Sequence, residues 1–101
     1  MSEMNSAAAS LQVIAGRWQV SGALSMDSVE AVLAASAPIA LPHDGIVDLT
    51  AVDRVDSAGV ALLLAWARRA ASEGSKIAFA GIPESMRSLA TLYGVEELLG
   101  A

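Results

Sequence analysis

Residues 47–64 restrict the fold more than any other segment of the chain. They read VDLTAVDRVDSAGVALLL, which is an apolar run, then acidic and small residues, then a second apolar run. Residues 46–49 are typical of a short central strand, residues 53–59 predict a loop, and the apolar residues that follow predict a helix over 58–72. Gly74 is placed to end that helix as a C-cap. A strand that leads directly into a long helix is the basic connection of an α/β fold.

The N-terminal half predicts two further strands and a helix. Two short apolar runs around a turn at Gly16 and Arg17 predict a β-hairpin over 11–22. Asp27 and Glu30 have the spacing of a capping box, and they predict the start of a helix that Pro38 ends.

The C-terminal part predicts one more strand and one more helix. Residues 76–80 form the strand candidate, and Pro83 is favoured in the first turn of a helix that ends at Gly94. Residues 95–99 predict a short amphipathic end. The order β-β-α-β-α-β-α predicts an α/β fold in which helices pack on a mixed sheet with a parallel portion.

Composition narrows the class of partner. The chain has 101 residues with 11 acidic and 6 basic side chains, and its net charge of -5 argues against binding to nucleic acid or anionic membranes. Only 17% of residues are charged and the mean hydropathy is +0.53, which favours a surface covered by a protein partner. The longest apolar run, 60–67, is far shorter than the roughly 20 residues of a membrane helix. We therefore expect a cytoplasmic protein without direct membrane insertion, in which residues 1–9 form a flexible tail.

The residues offer little for catalysis. The chain has no Cys and one His, His43, and it lacks the sequence motifs of nucleotide, zinc and serine-hydrolase sites. Three acids, Asp48, Asp53 and Asp56, lie within one short segment. An enzyme acting on a phosphorylated substrate would need them to hold a metal ion, although such acids are common without metal. We expect no enzyme, no catalytic residue, no metal and no cofactor.

The start of the helix over 58–72 is the candidate site. A helix N-terminus carries unpaired N–H groups and a positive dipole, and the small Ala58 and Gly59 keep the approach to the backbone open. A phosphate on Ser57 would meet these donors while being repelled by Asp53 and Asp56. The simpler interpretation, that Asp56 or Ser57 is an ordinary N-cap, stays open.

The same helix has apolar residues on more than one side. A stripe that should face the sheet contains Val60, Leu63, Leu64, Ala67 and Ala71. Leu62 and Trp66 lie on roughly the opposite side with Arg69, and they form a candidate contact patch because Trp and Arg are frequent interface anchors. In the alternative, Trp66 folds over the helix edge onto the domain's own core.

These residues resemble a known family. The pattern Asp-Leu-(x)5-Val-Asp-Ser-Ala-Gly-Val-Ala-Leu-Leu-Leu over 48–64, with the order of elements, is similar to the STAS domain of sulfate transporters and anti-sigma factor antagonists. Residues 82–99 look more like its MlaB-like branch, the small cytoplasmic subunits of phospholipid-transport ABC complexes. The resemblance covers residues 11–99 and makes residues 10–101 a single STAS domain.

The resemblance implies a non-enzymatic module that binds an MlaF-like ATPase subunit and, through it, a membrane permease. Such a complex maintains outer-membrane lipid asymmetry, so the protein would be peripheral to the inner membrane. The family's Ser or Thr position falls on Ser57, and Ala58 replaces the Ser or Gly of the usual variants, which removes one possible hydroxyl. The partner-binding residues expected from the site, the patch and the resemblance are Asp56, Ser57, Ala58, Gly59, Leu62, Trp66 and Arg69.

A second function shares the same site. In anti-sigma factor antagonists the equivalent hydroxyl is phosphorylated by a partner kinase, which ends partner binding. The resemblance therefore leaves open an antagonist switched by phosphorylation of Ser57. Self-association of the isolated domain through the apolar helix face also stays open.

Overall fold

A tight β-hairpin opens the part of the chain that the computed structural model describes, residues 9–99 with side chains up to residue 97. The predicted tail lies outside the described residues except for Ala9. Strand β1 (Ser10–Ile14) pairs antiparallel with β2 (Arg17–Leu24), so the predicted hairpin forms, but its turn is at Ala15 and Gly16, one residue before the predicted turn. Both turn residues have positive φ, 54° and 80°, which matches the twist of the two strands.

The remaining elements alternate between helices and strands, as the sequence predicts. They are α1 (Val29–Ser36), β3 (Ile46–Val55), α2 (Ser57–Ser72), β4 (Ala78–Ala80), α3 (Glu84–Leu92) and a 3-10 helix (Glu96–Leu99). The sheet order is β1-β2-β3-β4, and β3 pairs parallel with both β2 and β4. The predicted α/β fold with a mixed sheet is therefore confirmed. No helix in the described range has the length and apolarity needed to span a membrane.

Several predicted boundaries are wrong, and the strand predicted over 76–80 begins only at Ala78. Residues 53–55, predicted as loop, continue β3 because Arg54 and Val55 pair with the last residues of β2. The capping box at Asp27 does not form, since α1 begins only after Ser28 and Asp27 is exposed. The Ser28 hydroxyl instead donates to the carbonyl oxygen of Ala23, which ties the turn before α1 to the end of β2.

The rotation of α2 differs from the predicted stripe. Its buried residues are Gly59, Val60, Leu62, Leu63, Trp66 and Ala70. Gly59 explains this orientation, because a β carbon there would lie 2.9 Å from the carbonyl oxygen of Leu24. Only glycine allows α2 to approach β2 so closely, and the residues three, seven and eleven positions further along then face the sheet. Ala71, which was expected to face the sheet, is exposed.

Two tryptophans form the centre of the core. Trp18 on β2 and Trp66 on α2 are fully buried, and their rings meet edge to face with centroids 5.3 Å apart. The Trp18 indole donates to the carbonyl oxygen of Ala40 at 3.0 Å, and the Trp66 indole donates to the hydroxyl oxygen of Ser36 at 2.9 Å. Both buried N–H groups are thus paired, which avoids the cost of burying them alone.

Arg69 lies at the edge of this core and makes most of its polar contacts within the domain. Its guanidinium lies 5.8 Å from the ring centroid of Trp18. It donates to the carbonyl oxygens of Ser36 at 3.0 Å and Ile39 at 2.6 Å, at the C-terminal end of α1. Its Nε pairs with Glu73 at 2.8 Å. These contacts hold the guanidinium against the domain itself, while 24% of the side chain stays exposed, so a role of Arg69 in partner binding stays a prediction.

Removal of the Ser36 hydroxyl is expected to destabilise the domain, because the buried indole of Trp66 would lose its acceptor. We expect Ser36→Ala to lower the free energy of unfolding by about 1–3 kcal/mol in urea denaturation. Ser72→Ala is the matched control, since this hydroxyl also donates to the carbonyl three residues earlier but is exposed. The control should change stability by less than about 0.5 kcal/mol, and equal effects would contradict the role of Ser36.

Candidate functional site

Asp56 caps the N-terminus of α2. Its backbone is extended, and its carboxylate accepts a hydrogen bond from the backbone N–H of Ala58 at 2.8 Å. Of the two N-cap candidates, the structure therefore has Asp56. Ser57 is the first residue of the helix and is exposed, and its hydroxyl has no hydrogen-bond partner among the described residues. An accessible hydroxyl stands at the positive end of a long helix.

The same carboxylate holds a second loop against this helix end. The other oxygen of Asp56 accepts from the backbone N–H of Met26 at 3.1 Å, and the backbone N–H of Asp56 donates to the carbonyl oxygen of Leu24 at 3.1 Å. The turn that carries Met26 is also fixed internally, since the Ser28 hydroxyl oxygen accepts from the N–H of Ser25 at 3.1 Å. The turn between β2 and α1 is thus part of the site.

Met26 is the residue that sequence reasoning missed. Its side chain is 79% exposed, and it lies on an ordered turn beside the start of α2. Single exposed apolar residues are common on protein surfaces, and Met26 is a candidate contact residue only because its backbone is bound to the cap of α2. In the sequence, Met26 stands out only as an apolar residue between Ser25 and Asp27. The hydrogen bond that brings it to the site joins it to Asp56, 30 residues away.

The expected contact patch does not form. Leu62 and Trp66 are each 1% exposed and lie against the sheet, so neither presents a surface to a partner. The alternative, in which Trp66 packs on the domain's own core, is the arrangement in the structure. Gly59 is buried as well and serves the close approach of α2 to β2, whereas Ala58 is half-buried beside the exposed Ser57.

Asp48, Asp53 and Asp56 do not come together as a metal centre. Asp56 is used as the cap, Asp53 is exposed on β3, and Asp48 is bound to Thr50. Residues 9–99 hold no cluster of three acidic or histidine side chains placed to bind a metal ion.

Asp48 lies on the sheet face that the helices leave open. The hydroxyl and backbone N–H of Thr50 both donate to its carboxylate and lower its pKa below the ordinary value, with a smaller contribution from the charge of Arg17. The carboxylate is thereby held in its charged form by its immediate neighbours. Both hydrogen bonds lie within β3, and the charged carboxylate offers no proton donor near neutral pH.

The structure defines a small α/β domain that presents a capped helix end, an exposed serine and an exposed methionine together at its surface. A family model described as "Mlab, STAS domain" matches residues 7–100. The chain therefore belongs to the STAS domain family, and the resemblance of its sequence to the MlaB-like branch is confirmed. No match to the chain was found among curated proteins.

The fold is shared with a solved STAS domain. The chain is similar to the structure described as the anti-sigma factor antagonist SpoIIAA in its unphosphorylated form, with a TM-score of 0.57. The match covers 84% of this chain and 83% of that chain at 19% sequence identity. At this identity the likeness shows the fold alone.

Loss of the Asp56 carboxylate is expected to weaken both contacts that it makes. We expect Asp56→Ala to lower the free energy of unfolding by about 1–2 kcal/mol, the usual effect of removing a helix N-cap. Asp27→Ala is the matched control because Asp27 is a nearby exposed acid that caps no helix. Urea denaturation of both variants tests this, and a loss of stability in Asp27→Ala as large as in Asp56→Ala would contradict it.

Proposed function

We propose that this domain is an accessory subunit that binds and supports the cytoplasmic ATPase of a phospholipid-transport ABC complex. The observation that carries the proposal is the family match, which names the MlaB type and spans residues 7–100. The domain would itself be non-enzymatic and would reach the inner membrane through the ATPase and a permease. The absence of a metal cluster or a Cys among the described residues is compatible with this function but does not carry it.

The proposed contact surface is the end of the domain formed by Ser57 and Met26. Both residues are exposed, and the two carboxylate oxygens of Asp56 accept from the backbone N–H groups of Met26 and of Ala58, the residue after Ser57. The turn at Met26 and the helix start at Ser57 are both held in place before binding. Little conformational entropy would therefore be lost when a partner binds. Met26 would supply the apolar contact and Ser57 would lie at the rim.

A phospho-switched antagonist is the second candidate, and the free hydroxyl of Ser57 favours it. A phosphate there would lie next to the Asp56 carboxylate and would compete with it for the N–H groups at the helix start. Modification would then change the charge of the same surface. The two functions therefore differ in their partner and not in the location of the site.

Affinity purification of the tagged full chain from its own bacterium separates these candidates. Mass spectrometry would identify the bound proteins and determine whether the Ser57 peptide carries phosphate. Recovery of an ABC ATPase with a membrane permease supports the accessory subunit. Recovery of a small kinase-like anti-sigma factor, with phosphate on Ser57, would overturn it in favour of the antagonist.

A negative charge at Ser57 is expected to weaken binding to the ATPase, because it would be buried at the interface beside Asp56. We expect Ser57→Glu to reduce affinity about tenfold or more in a calorimetric titration, which corresponds to about 1.4 kcal/mol. Ser72→Glu, with the same change at the exposed far end of α2, should bind like the unmodified chain. Unchanged binding by Ser57→Glu would remove Ser57 from the interface.

Replacement of Met26 by a polar residue of similar length is expected to weaken the same interaction. We expect Met26→Gln to reduce affinity about tenfold, since an anchor side chain at an interface contributes on the order of 1–2 kcal/mol. Leu92→Gln is the control, because Leu92 is 75% exposed at the end of α3. An equal loss of affinity in both variants would show that general apolarity, and not Met26, supports binding.

A further inference from the structure

The two edges of the sheet are unlike each other. Strand β4 forms one edge and is only three residues long, which leaves little backbone free to pair with another strand. Strand β1 forms the other edge over five residues, SLQVI, with no charged residue and no proline, and its pairing with β2 contains no bulge. Natural sheets use charged residues, prolines and bulges to prevent association at an edge. Residues 10–14 have none of these three features.

The hairpin determines which backbone groups of β1 point outward. In a two-residue hairpin turn with positive φ, the flanking pair Ile14 and Arg17 exchanges both hydrogen bonds. Bonded and non-bonded pairs alternate along antiparallel strands. The N–H and C=O groups of Leu11 and Val13 therefore point away from β2, toward the free edge. All residues of β1 are exposed except Leu11, which is half-buried.

We propose that β1 is a self-association surface, and that its occupant is β1 of a second copy of this chain. A two-fold axis at Gln12 would place the strands antiparallel and join the two sheets into one. Leu11 of each copy would exchange both backbone hydrogen bonds with Val13 of the other. The two Gln12 residues would then face each other as a non-hydrogen-bonded pair.

The side chains of β1 suit this pairing. Leu11 and Val13 lie on the sheet face that carries the helices, because they pair with the buried Val20 and Trp18. In the dimer each Leu11 would pack across from a Val13, which is 51% exposed in the isolated domain. The uncharged strand places no like charges opposite each other.

The expected dimer is weak and separate from the proposed ATPase contact. A five-residue strand pair buries far less than the roughly 1,200–2,000 Å² of a stable interface. Each copy also carries a net charge of -5, which opposes association. The surface uses the outer edge of β1, whereas Ser57 and Met26 lie beyond the C-terminal ends of β3 and β2. The inference thus stands independently of the proposed function.

Single cysteines test the pairing and its register, because the chain has no native Cys. In the proposed dimer the two positions 12 lie about 4.5 Å apart between α carbons, within the range of a disulfide. The two positions 14 lie about 14 Å apart along the strands, beyond that range. We expect Gln12→Cys to form a disulfide-linked dimer about tenfold or more faster than Ile14→Cys under mild oxidation. Equal rates, or a faster rate for Ile14→Cys, would overturn the proposal.

Sedimentation of the full chain provides the second test without any cross-link. The weight-average mass should rise from 10.3 kDa toward twice that value as concentration increases. Val13→Lys should remain monomeric, because lysines on edge strands prevent pairing. Leu92→Lys makes the same change at an exposed site on α3 and should still associate. A monomer at all concentrations, or association unaffected by Val13→Lys, would overturn the proposal.

Discussion

The close approach of α2 to β2 at Gly59 determines the arrangement of the rest of the molecule. With no side chain at this position, the helix lies against the carbonyl oxygen of Leu24, and any β carbon would come within 2.9 Å of it. The contact sets the rotation of the helix, so Leu62 and Trp66 point into the core. It also leaves Ser57, two residues earlier, on the surface. The apolar core and the exposed hydroxyl thus follow from one backbone contact.

Much of the fold was predictable because its signals are local. The hairpin around Gly16, the strand that begins at Ile46 and the helix that ends before Gly74 depend on turn chemistry, apolar runs and caps. The length of β3 was not predictable from the sequence. Residues 53–55 include the charged Asp53 and Arg54, and they become strand only through pairing with β2. Long-range pairing overrides local preference at such positions.

The rotation of α2 could not be predicted because the helix is apolar on several sides. Its sequence, SAGVALLLAWARRAAS, lets more than one stripe face a sheet. The choice depends on contacts outside the helix: Gly59 lies against Leu24, and the side chain of Trp66 then meets Trp18 and donates to Ser36. Arg69 follows the same rotation and reaches the end of α1. The place of Met26 in the site could not be predicted either, since it depends on a hydrogen bond from its backbone N–H to the distant Asp56 carboxylate.

The direction of each strand separates the two surfaces of this domain. Because β2 and β3 are parallel, both lead out at the same edge of the sheet, and their following turns carry Met26 and Ser57 to one place. Because β1 runs antiparallel to β2 at the side of the sheet, its outward groups have no strand partner within residues 9–99. A strand added there would bond to groups that point away from β2 and would leave the β2–β3 register unchanged. Self-association through β1 is therefore compatible with a preformed site at Ser57.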